Sequence, residues 1–527
     1  MELKRPWRGW LATLLRRRGR GADAARGAAT SGQRWNEARQ LIAPGETSLG
    51  GVRLALADET KHFKLIGTTG TGKSTAIAAM LQGALSRGDR AVIADPDGGY
   101  LRRFYSAERG DVILNPFDAR SKKWDLFGEI RRPYDVDQLA RSLIPDQPGE
   151  DRSWRGYGRT FFTAVTKQAH AMGIKDVGEL HRLLTTADGA ELATLTRGTP
   201  AQPFLEPQNA RMFFSLQSVT SSAVESLQYV ANQQGASFSI RDWIDQDRTK
   251  GGVLFIPYRA GQIAALRSTI SAWMRIAIYG AMDRPEGDQR LWFVVDELDA
   301  LGPIDGLKDA LARVRKFGGR CVLGFQSVAQ VASTYGDGDA HTIVENCGTT
   351  FILRCSASEG GGTSRFASTL IGQRQVRRTS VSRSTRDTEW FGSSTRSSHV
   401  SIEPAVMASE IEQIPDLCGY LKLASRSDWL RLRMAEPTPR TADAPEAPAF
   451  VPASIEPKSA APAPAPATAA PVSAAPNRRS RAKPVAARSA DGSAAPARRA
   501  SRARQSNGGQ PLANARQPPA DTRGFEP

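Results

Sequence analysis

Two short stretches carry residue types at spacings that fit phosphate chemistry. Gly67-Thr68-Thr69-Gly70-Thr71-Gly72-Lys73-Ser74 matches G-x-x-x-x-G-K-[ST], the phosphate-binding loop. Glycines at 67, 70 and 72 let successive N–H groups turn inward around an anion. A helix opening at Lys73-Ser74 would aim its positive end at the same group. The expectation is that Gly67 to Thr75 cradle a nucleotide, Lys73 reaches its β/γ-phosphates and the Ser74 hydroxyl binds Mg²⁺. Arg290-Leu291-Trp292-Phe293-Val294-Val295-Asp296-Glu297 is an apolar run ending in two carboxylates. Alone that pattern is common; behind a phosphate loop it reads as a Walker B strand. Asp296 would hold Mg²⁺ through water and Glu297 would polarise the attacking water. Gln326, at the tip of Arg320-Cys321-Val322-Leu323-Gly324-Phe325, either senses the γ-phosphate or caps the next helix. The ligands implied are ATP and Mg²⁺.

These groups need a sheet to hold them. Phe63–Ile66 reads as a buried strand running into the loop, and Thr75–Leu85 as a helix running out. Ser48-Leu49-Gly50-Gly51 suggests a small strand pair before it. Arg90–Ala94 reads as the next strand, ending in Asp95-Pro96-Asp97-Gly98, and Asp111–Pro116 as another. From about Pro133 helical periodicity dominates: Val136–Leu143, Gly156–Met172, Val177–Leu184, Gly189–Leu195 and Asn209–Val230, with no strand between them. Strands resume at Gly252–Ile256 and helix Ile263–Met282 follows. Beyond Walker B come helix Ile304–Lys316, strands Arg320–Phe325 and Thr349–Arg354, and helix Ser364–Ile371. Gln373–His399 reads as a polar hairpin or mobile loop, and Pro404–Ile414 and Tyr420–Ala424 finish the sheet. The fold class expected is α/β, a RecA-like P-loop NTPase with a mostly parallel central sheet, an all-α insertion domain and disordered basic tails. Its divisions are 1–38 (basic arm), 39–132 and 244–435 (the two NTPase halves), 133–243 (insertion) and 436–527 (tail).

With 527 residues, 40% of them hydrophobic, the chain can bury a substantial core. Its net charge of +17 points to a polyanion or an acidic membrane surface, with basic tails supplying part of the excess. Cys321, Cys347, Cys355 and Cys418 lack C-x-x-C spacing and read as buried thiols of a reducing compartment. No apolar run reaches the roughly 18 residues that span a bilayer. Trp7, Trp10, Leu11, Leu14 and Leu15 share one helical face amid arginines, which fits a peripheral helix on anionic lipid or a basic arm. The Pro/Ala-rich tail buries too little apolar area to order itself and reads as a linker or as a site for nucleic acid or a partner.

Taken with the long helical insertion between the two Walker motifs, the chain resembles the type IV secretion coupling proteins of conjugative systems, of the TraD/TrwB type. The likeness rests on Gly67–Ser74, Arg87-Gly88-Asp89-Arg90, Asp95-Pro96-Asp97-Gly98, Ile113–Asp118, Leu291–Glu297, Gly324-Phe325-Gln326-Ser327 and Ile414-Pro415-Asp416-Leu417, and covers about Gly50 to Met434. It implies a homohexameric ring that pumps single-stranded DNA, attached to its relaxase, toward a secretion channel. The insertion would face the cytoplasm and receive the relaxosome. An arginine finger would come from the neighbouring subunit, with Arg354 and Arg365 near the expected strand end. Such proteins usually begin with two membrane-spanning helices. Here the expectation is a protein at the cytoplasmic face of the inner membrane without a span of its own.

For DNA, the candidates are Arg313, Arg315, Lys316 and Arg320 after Walker B, and the Arg374–Arg396 stretch, binding with salt dependence and sequence tolerance. Two other functions compete: a nucleotide-switched substrate-receptor adaptor, and an FtsK-like double-stranded DNA translocase. Glu297 weighs against a pure switch, which needs no water-polarising carboxylate; the helical insertion weighs against the third.

Overall fold

The computed structural model describes residues 26–27, 35–37, 42–146, 152–246, 251–287, 289–358, 361–384, 393–435 and 446–453. The Trp7–Leu15 helix and most of the C-terminal tail lie outside them. At its centre is a 10-stranded sheet, ordered Asn36–Glu37, Leu430–Arg433, Cys418–Lys422, Thr349–Ile352, Phe63–Ile66, Gly319–Phe325, Leu291–Val295, Arg90–Pro96, Val253–Tyr258 and Val112–Ile113. From Thr349–Ile352 to Val112–Ile113 every neighbouring pair is parallel. Cys418–Lys422 and Leu430–Arg433 close one side antiparallel. The class read from sequence is the class observed.

Continuous burial of Phe63–Ile66, Val253–Tyr258, Leu291–Val295 and Gly319–Phe325 follows from cover on both faces. Alternate side chains of each strand enter two separate apolar clusters. Phe63, Leu65, Ala91, Ile93, Trp292 and Val294 join Ala76, Ile77, Met80 and Leu81 of the helix that follows the phosphate loop. Ile66, Val92, Ala94, Phe293, Val295 and Phe325 join the long helix Ala260–Met282 and the helical insertion in one core.

The insertion comprises helices Pro133–Leu143, Arg152–Ala171, Val177–Thr185, Gly189–Leu195, Ala210–Val224 and Ser226–Asn232. Its base holds a feature not expected, a two-residue parallel bridge of Lys123–Trp124 with Ser237–Phe238. Glu129 ties the entering and leaving chain there. Its carboxylate accepts Trp124 Nε1–H at 3.1 Å and the N–H groups of Ile240 and Arg241 at 2.7 and 3.1 Å. Burial pushes that carboxyl up to about 7 despite these bonds.

Two segments differ from expectation, and a third resolves an open alternative. Strand Asp111–Pro116 shrinks to Val112–Ile113, because the Asn115 side chain turns back to accept the Phe117 N–H at 2.9 Å and Pro116 offers no donor. Of Gln373–His399, read as a polar hairpin or mobile loop, the described residues pair antiparallel as the first alternative expects, Gln373–Ser384 with Ser393–Pro404. And Glu446–Ala453, inside the tail expected to stay unordered, is docked on the sheet domain.

Candidate phosphate-loop site

The sequence places the loop between a strand with no freedom and a helix with a fixed start. Strand Phe63–Ile66 ends under it, and helix Lys73–Ser86 begins at Lys73. Gly72 sits at φ 110°, and a Cβ there would lie 2.8 Å from Met434 Cε. A Cβ on Gly67 would lie 2.9 Å from Leu353 Cβ, so close packing dictates Gly67, whereas the left-handed φ dictates Gly72. The Thr71 hydroxyl closes the loop onto Thr68 O at 2.8 Å. Behind it, the Leu417 N–H donates to Thr71 O at 3.0 Å, so the Ile414–Leu417 motif braces the loop.

Lys73 Nζ donates to Gly67 O at 2.6 Å and Thr68 O at 3.2 Å, inside the ring of backbone it should serve. Burial lowers its pKa, and the nearby Asp296 and Glu297 carboxylates counter that only in part. The loop and the Walker B strand meet directly: the Ser74 hydroxyl donates to Asp296 Oδ2 at 2.6 Å. Strand Leu291–Val295 lies two places from Phe63–Ile66 across Gly319–Phe325, which brings both carboxyl ends to one edge. Asp296 Oδ1 is buried with no partner among the described residues. A hard divalent cation takes oxygen ligands, and Ser74 Oγ with this unfilled carboxylate oxygen fits one.

Gln326 bridges the two motifs. Its Nε2 donates to Glu297 Oε1 at 3.2 Å, and its Oε1 accepts the Thr69 hydroxyl at 3.1 Å. Burial, with Asp296 and Asp299 alongside, raises the Glu297 pKa above the usual carboxylate range. Beside Thr75 opens a cavity of about 530 Å³ between the loop helix and the Gly50-Gly51 turn, reaching Arg103 and Met434. It adjoins Thr75, the last residue of the loop.

Sequence reasoning missed Tyr100, and quoted Asp95 and Gly324 within motifs without giving either a role at the site. Tyr100 OH donates to Asp296 Oδ2 at 2.8 Å, and Asp95 accepts the Tyr100 and Leu101 N–H groups at 3.1 and 2.7 Å. Burial carries the Asp95 pKa up to about 7. Gly324 lies against Asp296, whose carbonyl oxygen would sit 2.3 Å from a Cβ there. A glycine inside a strand is the signal that could have revealed it.

One expected role is corrected. Arg320 cannot reach DNA: it is buried, and its Nε donates to the equally buried Glu59 at 2.8 Å. Arg354 is partly exposed at the loop: its carbonyl accepts the Thr68 N–H at 2.9 Å and its guanidinium pairs with the exposed Asp416 at 2.6 Å. Arg365, Arg313, Arg315 and Lys316 are exposed. The last three precede strand Gly319–Phe325 and so lie at the sheet edge opposite the loop. On the hairpin, Arg374, Arg377, Arg378 and Arg396 are exposed as well.

Residues 46–435 match the family described as the type IV secretion-system coupling protein DNA-binding domain. The chain is 32% identical over 431 residues to coupling protein TraD of Escherichia coli (strain K12), covering 80% of this chain and 59% of TraD. It therefore spans less than two thirds of that relative. Among solved structures, the bacterial conjugative coupling protein TrwBdeltaN70 in an unbound form matches with a TM-score of 0.68 at 31% identity, over 77% of this chain and 91% of that one. Plasmid coupling protein TrwB in complex with ADP and Mg²⁺ matches with a TM-score of 0.67 at 31% identity, over 78% and 92%. No helix among the described residues is long and apolar enough to cross a membrane.

Proposed function

Because this chain belongs to the type IV secretion-system coupling proteins, we propose that it is an ATPase that drives DNA transfer during conjugation. In this reading a homohexameric ring moves relaxase-linked single-stranded DNA toward a secretion channel at the cytoplasmic face of the inner membrane. The halves 39–132 and 244–435 bind ATP, and the helical insertion 133–243 receives the relaxosome. The observation that carries it is the joining of both motifs in one network, Ser74 to Asp296 and Thr69 through Gln326 to Glu297.

The residues divide the work. The Gly67–Ser74 amides and the Lys73 ammonium bind and orient the triphosphate, which draws Lys73 from its contacts with Gly67 O and Thr68 O. The cavity beside Thr75 takes the nucleoside. Ser74 and Asp296 would hold Mg²⁺, which when bound neutralises charge on the β- and γ-phosphates. Glu297, its proton affinity raised by burial, accepts a proton from the attacking water, and Gln326 fixes that carboxylate relative to the loop.

Steady-state phosphate release with and without single-stranded DNA tests this. Unsubstituted protein should hydrolyse ATP faster with DNA. Lys73→Ala should lose turnover while keeping salt-sensitive DNA binding. Glu297→Gln should lose about 10²–10⁴-fold in turnover with nucleotide affinity retained. Equal hydrolysis by all three proteins would overturn the assignment.

A further inference from the structure

Glu446–Ala453 is an eight-residue peptide held by more than incidental contact. The Ala447 N–H donates to Arg102 O at 3.1 Å, the Ala453 N–H to Phe117 O at 2.8 Å, and Val451 O accepts the Ala119 N–H at 2.8 Å. The Val451 N–H donates to Asp118 Oδ2 at 3.2 Å, and Arg120 Nη1 donates to Pro448 O at 2.8 Å. Glu446 pairs with Arg102 at 2.9 Å, and the Arg259 guanidinium lies 4.2 Å from the Phe450 ring centre. Ala449 sits so close to Gly98 that a Cβ there would lie 2.6 Å from its carbonyl oxygen. Pro448 and Pro452 restrict the undocked chain and so reduce the entropy lost on docking.

What this peptide grips is informative. Gly98 and Arg102 bracket Tyr100 on the six-residue helix Gly99–Phe104, and Arg259 follows Tyr258. A helix of that length has little stability of its own. Asp95 holds its first turn, while the peptide bonds Arg102 in its last turn and packs on its N-cap Gly98. Tyr100 in turn supplies the hydrogen bond to Asp296 Oδ2, at 2.8 Å. Tyr258 is also buried.

We propose that Glu446–Ala453 is a latch on helix Gly99–Phe104, and that through it Tyr100 is a positioning residue for the Asp296 carboxylate. The latch lies beside tail sequence on both sides, so a partner that draws on the tail would release it and loosen Asp296. This rests on the reading of Asp296 as a Mg²⁺ ligand.

The full-length chain carrying Glu446→Ala and Phe450→Ala, the Tyr100→Phe variant and their combination are compared with the unsubstituted protein. Amide exchange over residues 98–104 should rise about tenfold in the latch variant, since an ion pair and a cation–π contact are lost. The Mg²⁺ concentration for half-maximal hydrolysis should rise roughly tenfold in Tyr100→Phe, as expected when a partner of a metal ligand is removed. It should rise in the latch variant too, with no further rise in the combination. Synthetic peptide Glu446–Ala453 added to the latch variant should restore slow exchange. Unmoved exchange over 98–104 overturns the latch whatever hydrolysis does. Additive Mg²⁺ shifts overturn the link through Tyr100. An unsubstituted protein that hydrolyses ATP without Mg²⁺ overturns the reading of Asp296 instead, leaving exchange to judge the latch.

Discussion

Replacing Arg320 by Met should cost stability and spare DNA affinity. Arg320 is 1% exposed and Glu59 0%. Their contact at 2.8 Å is joined by Arg320 Nη1 to Gly318 O at 2.6 Å. Burial alone would push the Glu59 carboxyl up, but bonds from Arg87, Thr47 and Arg320 hold it below its ordinary value. Removing one partner of a buried pair typically costs about 3–5 kcal/mol. Arg87 keeps two bonds to Glu59, at 3.0 and 2.9 Å, so the cost falls at the lower end, about 3 kcal/mol. With an unfolding entropy of roughly 2.1 cal/mol/K per residue over the 46–435 stretch, that lowers Tm by about 4 °C. Calorimetry reads the shift, and fluorescence anisotropy with a single-stranded oligonucleotide, below both transitions, reads binding. Arg315→Ala with Lys316→Ala is the opposite control, with Tm kept and the salt slope of binding reduced. An unshifted Tm together with weakened DNA binding in Arg320→Met would refute the argument.

His62 should make the protein acid-sensitive. Its Nε2 bonds Leu311 O at 2.9 Å while Nδ1 accepts the Cys321 N–H at 3.1 Å, so only the neutral ring satisfies both, and burial depresses its pKa to about 4. The unfolded state, near 6.5, binds the proton first as pH falls, so stability drops by about 2 kcal/mol between pH 7 and pH 5. In His62→Gln the urea-unfolding free energy should lose that part of its pH dependence; matching slopes would rule the assignment out. Glu129 has the opposite sign: raised to about 7, it favours the folded state below its unfolded value, and that advantage disappears as pH rises through 7. Glu129→Gln should therefore flatten the decline toward alkaline pH in the same titration, and an unchanged decline counts against it. Gly324→Ala forces a Cβ to within 2.3 Å of the Asp296 carbonyl, so ATP turnover should fall at least about tenfold, even at 4 °C where the fold persists. Full turnover in that variant would show the strand can yield there.

The loop, the carboxylate pair and the central strands were legible because each is written in contiguous residues. Phosphate binding needs Gly67 to Ser74 in an unbroken row, and strands buried on both faces announce themselves as unbroken apolar runs. What escaped depends on partners distant in the chain. Arg320 follows Arg313, Arg315 and Lys316 and looks like one more surface base, because its partner Glu59 lies 261 residues away. Tyr100 looks like any helix aromatic until Asp296, 196 positions on, comes beside it. The docked Glu446–Ala453 escaped for another reason. Apolar composition measures side-chain burial, whereas this peptide is held largely through its main chain.

Strand Gly319–Phe325 is buried at every position and joins two outposts of opposite character. Gln326 stands at one end, against the loop; Lys316 and Arg315 stand just beyond the other, in solvent. Seven residues of extended chain span roughly 23 Å without a hinge. Clamped between neighbours on both sides, such a rod has no slack to absorb a displacement at its tip. Its ladders to Phe63–Ile66 and Leu291–Val295 hold Gln326 and the basic end at a fixed separation, as a strut holds two walls apart.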